Sequence, residues 1–170
     1  MADEARLPIR ALVGTIVFVA ILPATVIVLA PYWITGWQLR EPFLGTTLTR
    51  WIGALLVVVA LPVFVSFLGR FVFEGRGTPA PVAPTERLVV GGPFRWTRNP
   101  GYVAVDAMLV GQGLFLASPA VLVYGAFIAL AFHIFVIVYE EPTLRDTYGE
   151  EYERYCRRVP RWIPRRPTSG

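Results

Sequence analysis

Two short polar segments, far apart in the sequence, hold the side chains best suited to chemistry. One is Arg98-Asn99-Pro100-Gly101-Tyr102 and the other is the acidic pair Glu140-Glu141. Together they supply an arginine, a side-chain amide and two carboxylates, with anionic groups in excess. This composition suits a cationic, zwitterionic ligand. We therefore predict an active site wherever the fold brings the two segments together.

The stretch between these segments is predicted to be a helical hairpin. From Ala107 to Tyr139 no residue is charged, and at about 1.5 Å rise per residue this run is too long for one crossing of a hydrocarbon core of about 30 Å. Ser118-Pro119 is the natural turn, because proline cannot continue a helix but is accepted in a first turn. Arg98 lies 20 residues before Ser118 and Glu140 lies 21 after Pro119. Both ends should return to the same membrane depth.

Each polar residue also has a purely structural interpretation. Arg98 could form an interfacial ion pair with either glutamate that only fixes the hairpin. Asn99 could start a helix before Pro100. If helical geometry already holds at Arg98, then Tyr102 and Asp106 share its face, and Asp106 could instead interact favourably with its helix dipole.

The composition indicates an all-α, polytopic integral membrane protein. The chain has 170 residues, is 55% hydrophobic and has a mean hydropathy of +0.54, far more apolar than a soluble domain. Counting the hairpin as two, we expect four transmembrane helices, the first two near residues 8–35 and 51–73.

The single Cys156 forbids an internal disulfide, and with His133 as the one histidine no metal-ligand cluster is expected. For His133 an interhelical hydrogen bond is favoured over substrate contact.

The arginines indicate the orientation. All sixteen basic residues are arginine, and they concentrate around the second loop and the C-terminal tail. The positive-inside rule then places both termini in the cytoplasm, and we expect a bacterial inner membrane. A pI of 9.6 favours contact with anionic membrane lipids rather than nucleic acid, because the arginines flank the spans.

We expect one membrane domain over residues 1–170, present as a monomer. Residues 1–73 would form two scaffold spans, 74–100 a cytoplasmic loop, and 101–170 the catalytic hairpin with an amphipathic cytoplasmic helix over 142–159. The loop is long and rich in glycine and proline, which favours a functional role over that of a connector.

The C-terminal half resembles the isoprenylcysteine carboxyl methyltransferase and phospholipid methyltransferase superfamily. The resemblance rests on the segment from Gly92 to Tyr102, an apolar hairpin, Glu140-Glu141, Tyr148-Gly149, and Val159-Pro160-Arg161-Trp162-Ile163-Pro164. It implies a pocket for S-adenosylmethionine and a lipid substrate that enters from the bilayer. The cofactor-binding positions that it implies are Phe94, Arg98, Asn99, Tyr102, Glu140 and Glu141.

The resemblance also suggests roles for these residues. We expect Arg98 to anchor the methionyl carboxylate, Glu140 or Glu141 to bind the ammonium or the ribose hydroxyls, and Tyr102 to pack against the cofactor. Arg98 and Glu141 are the predicted catalytic residues. A carboxylate acceptor needs no base, whereas an amine or thiol acceptor must lose a proton, for which Glu141 is the candidate.

The sequence departs from the family pattern at two positions. Asn99 stands where many members have histidine, and Phe94 stands where tyrosine is common. Asn99 can hydrogen-bond the cofactor but cannot titrate. Two other functions remain open: an NADPH-dependent membrane reductase related to sterol reductases, and a non-enzymatic helical membrane protein whose charges brace a bundle.

Overall fold

The computed structural model describes residues 21–73 and 88–165, and every regular element within these ranges is helical. The predicted all-α class is therefore confirmed for this part of the chain. Single-turn 3₁₀ helices occur at Phe43–Gly45 and Gly92–Arg95. Most of the predicted 74–100 loop, and the start of the first span, lie outside the described residues. Within the two described ranges there are five helices: α1 (Ile21–Thr35), α2 (Leu48–Phe73), α3 (Pro100–Phe115), α4 (Pro119–Tyr148) and α5 (Glu150–Arg158).

Two of these helices are long and apolar enough to cross a membrane. They comprise residues Leu48–Arg70 of α2 and Pro119–Tyr148 of α4. Helix α3 has 16 residues, which gives it a length of about 24 Å, short of the hydrocarbon core of about 30 Å. The described part of α1 is likewise shorter than a full span. Two of the four predicted spans thus have the required length in this structure.

Glycines allow α2 and α3 to cross at very short range. A Cβ atom added to Gly53 would clash with the carbonyl oxygen of Gly111, and one added to Gly111 would lie 2.7 Å from the carbonyl oxygen of Gly53. Backbone therefore meets backbone at this point, as small residues permit between membrane helices. The buried side chains beside the crossing are Ala60, Phe64, Ala104, Val105, Met108 and Leu109.

The hairpin turns where the sequence predicts. Helix α3 ends at Phe115 and α4 begins at Pro119. The Ser118 hydroxyl caps α4 by accepting a hydrogen bond from the Val121 amide at 3.4 Å, which satisfies one of the free donors at the start of the helix. The two ends of the hairpin are thereby returned to the same side of the molecule.

Helix α4 contains a π-helical turn at Val136–Glu140, directly before the second glutamate. The Glu141 amide donates to the Val136 carbonyl, five residues back. This shift of the hydrogen-bond register falls next to Pro142, which has no amide proton to contribute. The helix therefore continues through the proline.

The bounds predicted for the amphipathic helix, residues 142–159, were wrong. Helix α4 runs on without a break to Tyr148, and Gly149, at a φ of 51°, separates it from α5. Glycine accepts this positive φ because it has no Cβ atom. The amphipathic segment is therefore two short helical pieces joined at an angle, and the second carries Tyr152 and Tyr155 back toward the site.

Candidate active site

The Glu141 carboxylate is the centre of the site. Its side chain is only 3% exposed. Arg161 binds it with two nitrogens, Nε to Oε1 at 2.6 Å and Nη2 to Oε2 at 3.0 Å. Arg98 Nη1 lies 3.1 Å from Oε1 and Arg145 Nη2 lies 3.3 Å from Oε2. Three guanidinium groups thus share one buried carboxylate.

Arg98 is held by contacts to α4, to α5 and to the residues that follow α5. It precedes α3, which begins at Pro100, so the predicted shared helical face with Asp106 does not form. Its backbone amide donates to the Pro160 carbonyl at 2.9 Å, and its Nη1 donates to Cys156 Sγ at 2.7 Å. Arg98 Nε is buried and has no hydrogen-bond partner in the described structure. Arg98 Nε is thus an N–H donor that no described residue engages.

Tyr102 and Glu140 form a second pair beside the first. The Tyr102 hydroxyl donates to Glu140 Oε2 at 2.9 Å, and its ring packs on Phe132 with centroids 4.5 Å apart. The hydrogen bond fixes the Glu140 carboxylate on a neighbouring face of α4. The two adjacent glutamates therefore have different environments, one against a phenol and one against arginines.

The segment 159–165, here called the C-terminal strap, folds back over the residues that precede α3. The Arg161 carbonyl accepts hydrogen bonds from Thr97 Oγ1 at 2.9 Å and from Asn99 Nδ2 at 3.1 Å. The Arg165 amide donates to the Trp96 carbonyl at 3.1 Å. These contacts, joined across more than 60 positions of sequence, place the Arg161 guanidinium over Glu141.

The charges around the site are balanced, which corrects the predicted anionic excess. Arg98, Arg145 and Arg161 face Glu140, Glu141 and Glu153, because Arg145 also pairs with Glu153 at 2.8 Å. The hydrogen bond to Glu141 raises the pKa of Arg161 above its ordinary value, so this guanidinium stays charged. Sequence reasoning had included Arg98 alone among the arginines.

Burial keeps a neighbouring tyrosine protonated. It raises the pKa of Tyr155 above that of a free phenol, and the Tyr155 hydroxyl donates to the Phe94 carbonyl at 2.7 Å. Helix α5 is thereby attached to the turn that leads into Arg98. This tyrosine therefore has a structural role.

The structure brings together four of the six predicted cofactor residues: Arg98, Tyr102, Glu140 and Glu141. The other two are engaged in packing. Phe94 is buried with its ring 5.8 Å from that of Phe67 on α2. Asn99 is the residue immediately before α3, but its side chain does not cap this helix. The side-chain amide donates to the Arg161 carbonyl of the strap instead.

His133 and Asp106 lie apart from these contacts. The Trp162 indole donates to His133 Nδ1 at 3.2 Å, so the predicted interhelical bond is instead a bond from α4 to the strap. Asp106 Oδ1 is buried without a hydrogen-bond partner among the described residues. Neither side chain has a described contact with Arg98 or Glu141.

Sequence reasoning missed Arg145, Cys156 and Arg161 as members of the site. Arg145 could have been found, because its i,i+4 spacing from Glu141 within a helix favours an ion pair. Arg161 belongs to the motif that carried the resemblance, yet no local spacing relates it to an acid 20 residues earlier. No sequence pattern around Cys156 indicated that its thiol would contact Arg98.

The chain matches one protein-family profile and several named plant proteins. The phospholipid methyltransferase family profile matches residues 48–151. A probable protein-S-isoprenylcysteine O-methyltransferase from Oryza sativa subsp. indica is 33% identical over 78 residues, covering 46% of this chain and 41% of the relative. The protein-S-isoprenylcysteine O-methyltransferase B of Arabidopsis thaliana is 31% identical over 78 residues, covering 46% and 40%. No solved structure gives a significant match.

The matched segment spans about two fifths of the length of these plant relatives. The family profile, in contrast, covers more than half of this chain, from the start of α2 through the hairpin to the paired glutamates and the start of α5. The resemblance seen in the sequence is therefore confirmed. This protein belongs to the phospholipid methyltransferase family.

Proposed function

We propose that this protein transfers a methyl group from S-adenosylmethionine to a lipid-like or membrane-partitioned small molecule at the cytoplasmic face of the membrane. Family membership and the printed names of the plant relatives support methyl transfer. The observation that carries the proposal is the Arg98–Glu141 contact at 3.1 Å, which joins the two ends of the hairpin. It leaves a buried arginine nitrogen available beside two carboxylates.

The residues present fit this methyl donor. When bound, S-adenosylmethionine supplies a methyl group on a positively charged sulfur, together with a carboxylate and an ammonium. The buried Arg98 Nε, which has no described hydrogen-bond partner, suits the carboxylate. Glu140, held by Tyr102, suits the ammonium or the ribose hydroxyls. These assignments use charge-assisted hydrogen bonds, which are the stronger kind.

We assign Glu141 a positioning role rather than that of a base. Its carboxylate is already engaged by three guanidinium groups, which stabilise its ionised form and occupy its oxygens. A group so engaged is poorly placed to accept a proton from an acceptor. Its function would be to orient Arg98 and Arg161. A carboxylate acceptor, which needs no base, is consistent with this arrangement.

Methyl transfer from a sulfonium places modest chemical demands on the protein. Positive charge disappears in the displacement, so alignment and exclusion of water contribute most. The strap and α5 enclose Arg98 and Glu141 from the side of the C-terminus, through the bonds from Asn99, Thr97 and Tyr155. We propose that these elements hold the reacting groups in a site with little water.

The membrane arrangement is also a proposal. Four spans and cytoplasmic termini are supported by the apolar lengths and the arginine distribution in the sequence. A monomer and a bacterial inner membrane stay predictions. In this orientation α5 and the strap lie on the cytoplasmic side, where a soluble cofactor could enter. The acceptor would arrive from the bilayer.

Calorimetric titration of S-adenosylmethionine into purified, detergent-solubilised protein tests the proposal. We expect binding by the wild type and its loss in Arg98→Ala, because the anchor for the carboxylate is removed. Arg157→Ala on the exposed side of α5 is the matched control and should bind normally. Unchanged affinity in Arg98→Ala would reject the role of this arginine. Binding of NADPH but not of S-adenosylmethionine would reject methyl transfer.

A further inference from the structure

The connection between α1 and α2, residues 36–47, lies at the end of the hairpin away from Glu141. The Arg40 amide donates to the Leu116 carbonyl at 3.2 Å, which attaches the connection to the hairpin turn. The connection and the adjoining helix ends expose large apolar side chains, each between 46% and 95% exposed: Trp33, Trp37, Leu39, Leu44, Leu48 and Trp51. The proposed methyl transfer assigns no role to this surface.

Leu44 is presented outward by a backbone conformation that leucine disfavours. It lies in the 3₁₀ turn Phe43–Gly45 with a φ of 57°. In this left-handed region the Cβ atom crowds the following carbonyl oxygen. The Leu44 side chain is 95% exposed, so no packing within the described chain offsets this conformational cost. A side chain held in this way acts on something outside the chain.

The backbone of the connection is suited to surroundings with little water. The Gly36 amide donates to the Tyr32 carbonyl at 2.6 Å. The amides of Trp37 and Gln38 donate to Oγ1 and to the carbonyl oxygen of Thr35, at 3.1 Å in each case. Irregular backbone avoids hydrocarbon unless its polar groups are bonded within the protein. These bonds therefore allow the connection to lie at the edge of the hydrocarbon core.

Helix α3 is too short to bring both of its ends to the membrane surfaces. Its 16 residues rise about 24 Å, about 6 Å less than a hydrocarbon core of about 30 Å. The hairpin turn is not the outer surface of the molecule at its own end, because Leu116, Ala117 and Ser118 are at most 4% exposed. The connection attached to the turn is thus placed to supply the missing depth, and an apolar outer surface is what that depth requires.

We propose that the α1–α2 connection inserts into the bilayer leaflet on the side of the hairpin turn. The Leu44 side chain lies at the edge of the hydrocarbon core, and Glu41 remains in water. The partner of this surface is lipid, because the surface is continuous with the exposed face of α2, a helix long enough to cross a membrane. On that face Leu48 is 61% and Trp51 is 72% exposed.

The composition of the surface also fits a membrane interface. Tryptophan concentrates at that level of the bilayer, and Trp33 and Trp51 stand at the two helix ends that the connection joins. Arg40 and Glu41 are both exposed, so their opposite charges give the connection no net charge with which to attract a charged partner. The insertion does not depend on methyl transfer.

Spin labels on single cysteines test this proposal in the full-length protein. The cysteines are Leu44→Cys, Glu41→Cys and Leu48→Cys, each in a Cys156→Ser background and reconstituted in phosphatidylcholine nanodiscs. Power-saturation measurements compare collisions of each label with oxygen, which concentrates in hydrocarbon, and with a water-soluble nickel chelate. We expect the label at 44 to resemble the lipid-facing label at 48, with oxygen favoured over nickel. The label at 41 should show the reverse order.

Each of the three substitutions replaces an exposed side chain, and the melting temperature of each labelled variant shows that it is folded. Collisions of the label at 44 with nickel as frequent as those of the label at 41 would overturn the insertion. A label at 44 that is shielded from both reagents would overturn it as well, because protein rather than lipid would then cover Leu44.

Discussion

At the scale of the residue, the charged contacts of the site converge on Glu141. A carboxylate that is 3% exposed would be strongly destabilising without partners, because burial removes its hydration. Arg98, Arg145 and Arg161 supply the compensating charge from three different segments. Each arginine in turn depends on this carboxylate. Removing it should therefore affect all three segments at once.

Glu141→Gln should destabilise the protein by about 3–5 kcal/mol, the usual effect of breaking a buried ion pair from one side. The amide retains the shape but leaves three guanidinium groups near one another without their shared counter-charge. Thermal unfolding in detergent measures the effect, and loss of S-adenosylmethionine binding should accompany it. Glu153→Gln is the control, since the Arg145–Glu153 pair is exposed and should contribute less than about 1 kcal/mol. Equal melting temperatures for the two variants would contradict the central role of Glu141.

Tyr102→Phe should weaken S-adenosylmethionine binding by about tenfold. The variant removes the hydroxyl that fixes Glu140 but keeps the ring contact with Phe132, and a hydrogen bond to a charged group contributes about 1.5–3 kcal/mol. Calorimetry measures the affinity. Tyr124→Phe loses a hydrogen bond to the Val26 carbonyl, far from the glutamates, and should bind the cofactor normally. Equal affinities in both variants would remove Glu140 from the proposed cofactor contacts.

At the scale of the elements, the position of α3 depends on its glycines and on both of its ends. Gly111 brings α3 against the backbone of α2, and the Ser118 turn returns α4 alongside it. The π-helical turn then lets α4 pass through Pro142. Because of these features, the residues just before α3 and the C-terminal third of α4 present Arg98 and Glu141 to each other.

Gly111→Ala should lower the melting temperature clearly, by the equivalent of about 1–3 kcal/mol. The new methyl group would lie 2.7 Å from the Gly53 carbonyl and 2.8 Å from Val57, and backbone cannot rotate away as a flexible side chain can. Gly125→Ala is the matched control, because its methyl group would meet the Leu109 Cβ atom at 3.3 Å. It should have a smaller effect. A larger effect at Gly125 than at Gly111 would show that the α2–α3 crossing does not limit stability.

At the scale of the whole molecule, the site is assembled from parts that are distant in sequence. The strap contributes Arg161, α5 contributes Cys156, and the hairpin contributes Arg98 and Glu141. The strap and α5 lie beyond the last apolar helix of the described residues, so in the proposed membrane arrangement the site lies at a single face. The orientation of the chain would then decide which compartment supplies the proposed cofactor.

Cysteine labelling should place α5 in the cytoplasm and the α1–α2 connection outside. In a Cys156→Ser background, which removes the natural thiol, a membrane-impermeant maleimide should label Glu41→Cys in intact cells. It should label Glu150→Cys only after permeabilisation, because the positive-inside rule puts the arginine-rich end inside. Both positions are exposed. Labelling of Glu150→Cys in intact cells would contradict the proposed orientation.

Much of the helical framework could be predicted from patterns among neighbouring residues. So could half of the charged residues of the site, namely Arg98, Glu140 and Glu141. The uncharged run and Ser118-Pro119 predicted the hairpin and its turn, because apolar length and proline chemistry act over neighbouring residues. Equal distances from the turn then predicted that Arg98 would meet the paired glutamates. The break at Gly149 was missed because the amphipathic pattern over 142–159 suggested one continuous helix, and the presence of one glycine does not determine which φ it adopts.

Local patterns in the sequence were enough to predict an all-helical, apolar chain of a methyltransferase family with an arginine and two glutamates at one end of a hairpin. The partners of those two carboxylates depend on the tertiary structure. Arg161 reaches Glu141 because the strap is tied to Thr97 and Asn99 by long-range hydrogen bonds. No periodicity encodes such contacts, since they depend on how separate segments pack. The predicted anionic site is for this reason a charge-balanced one.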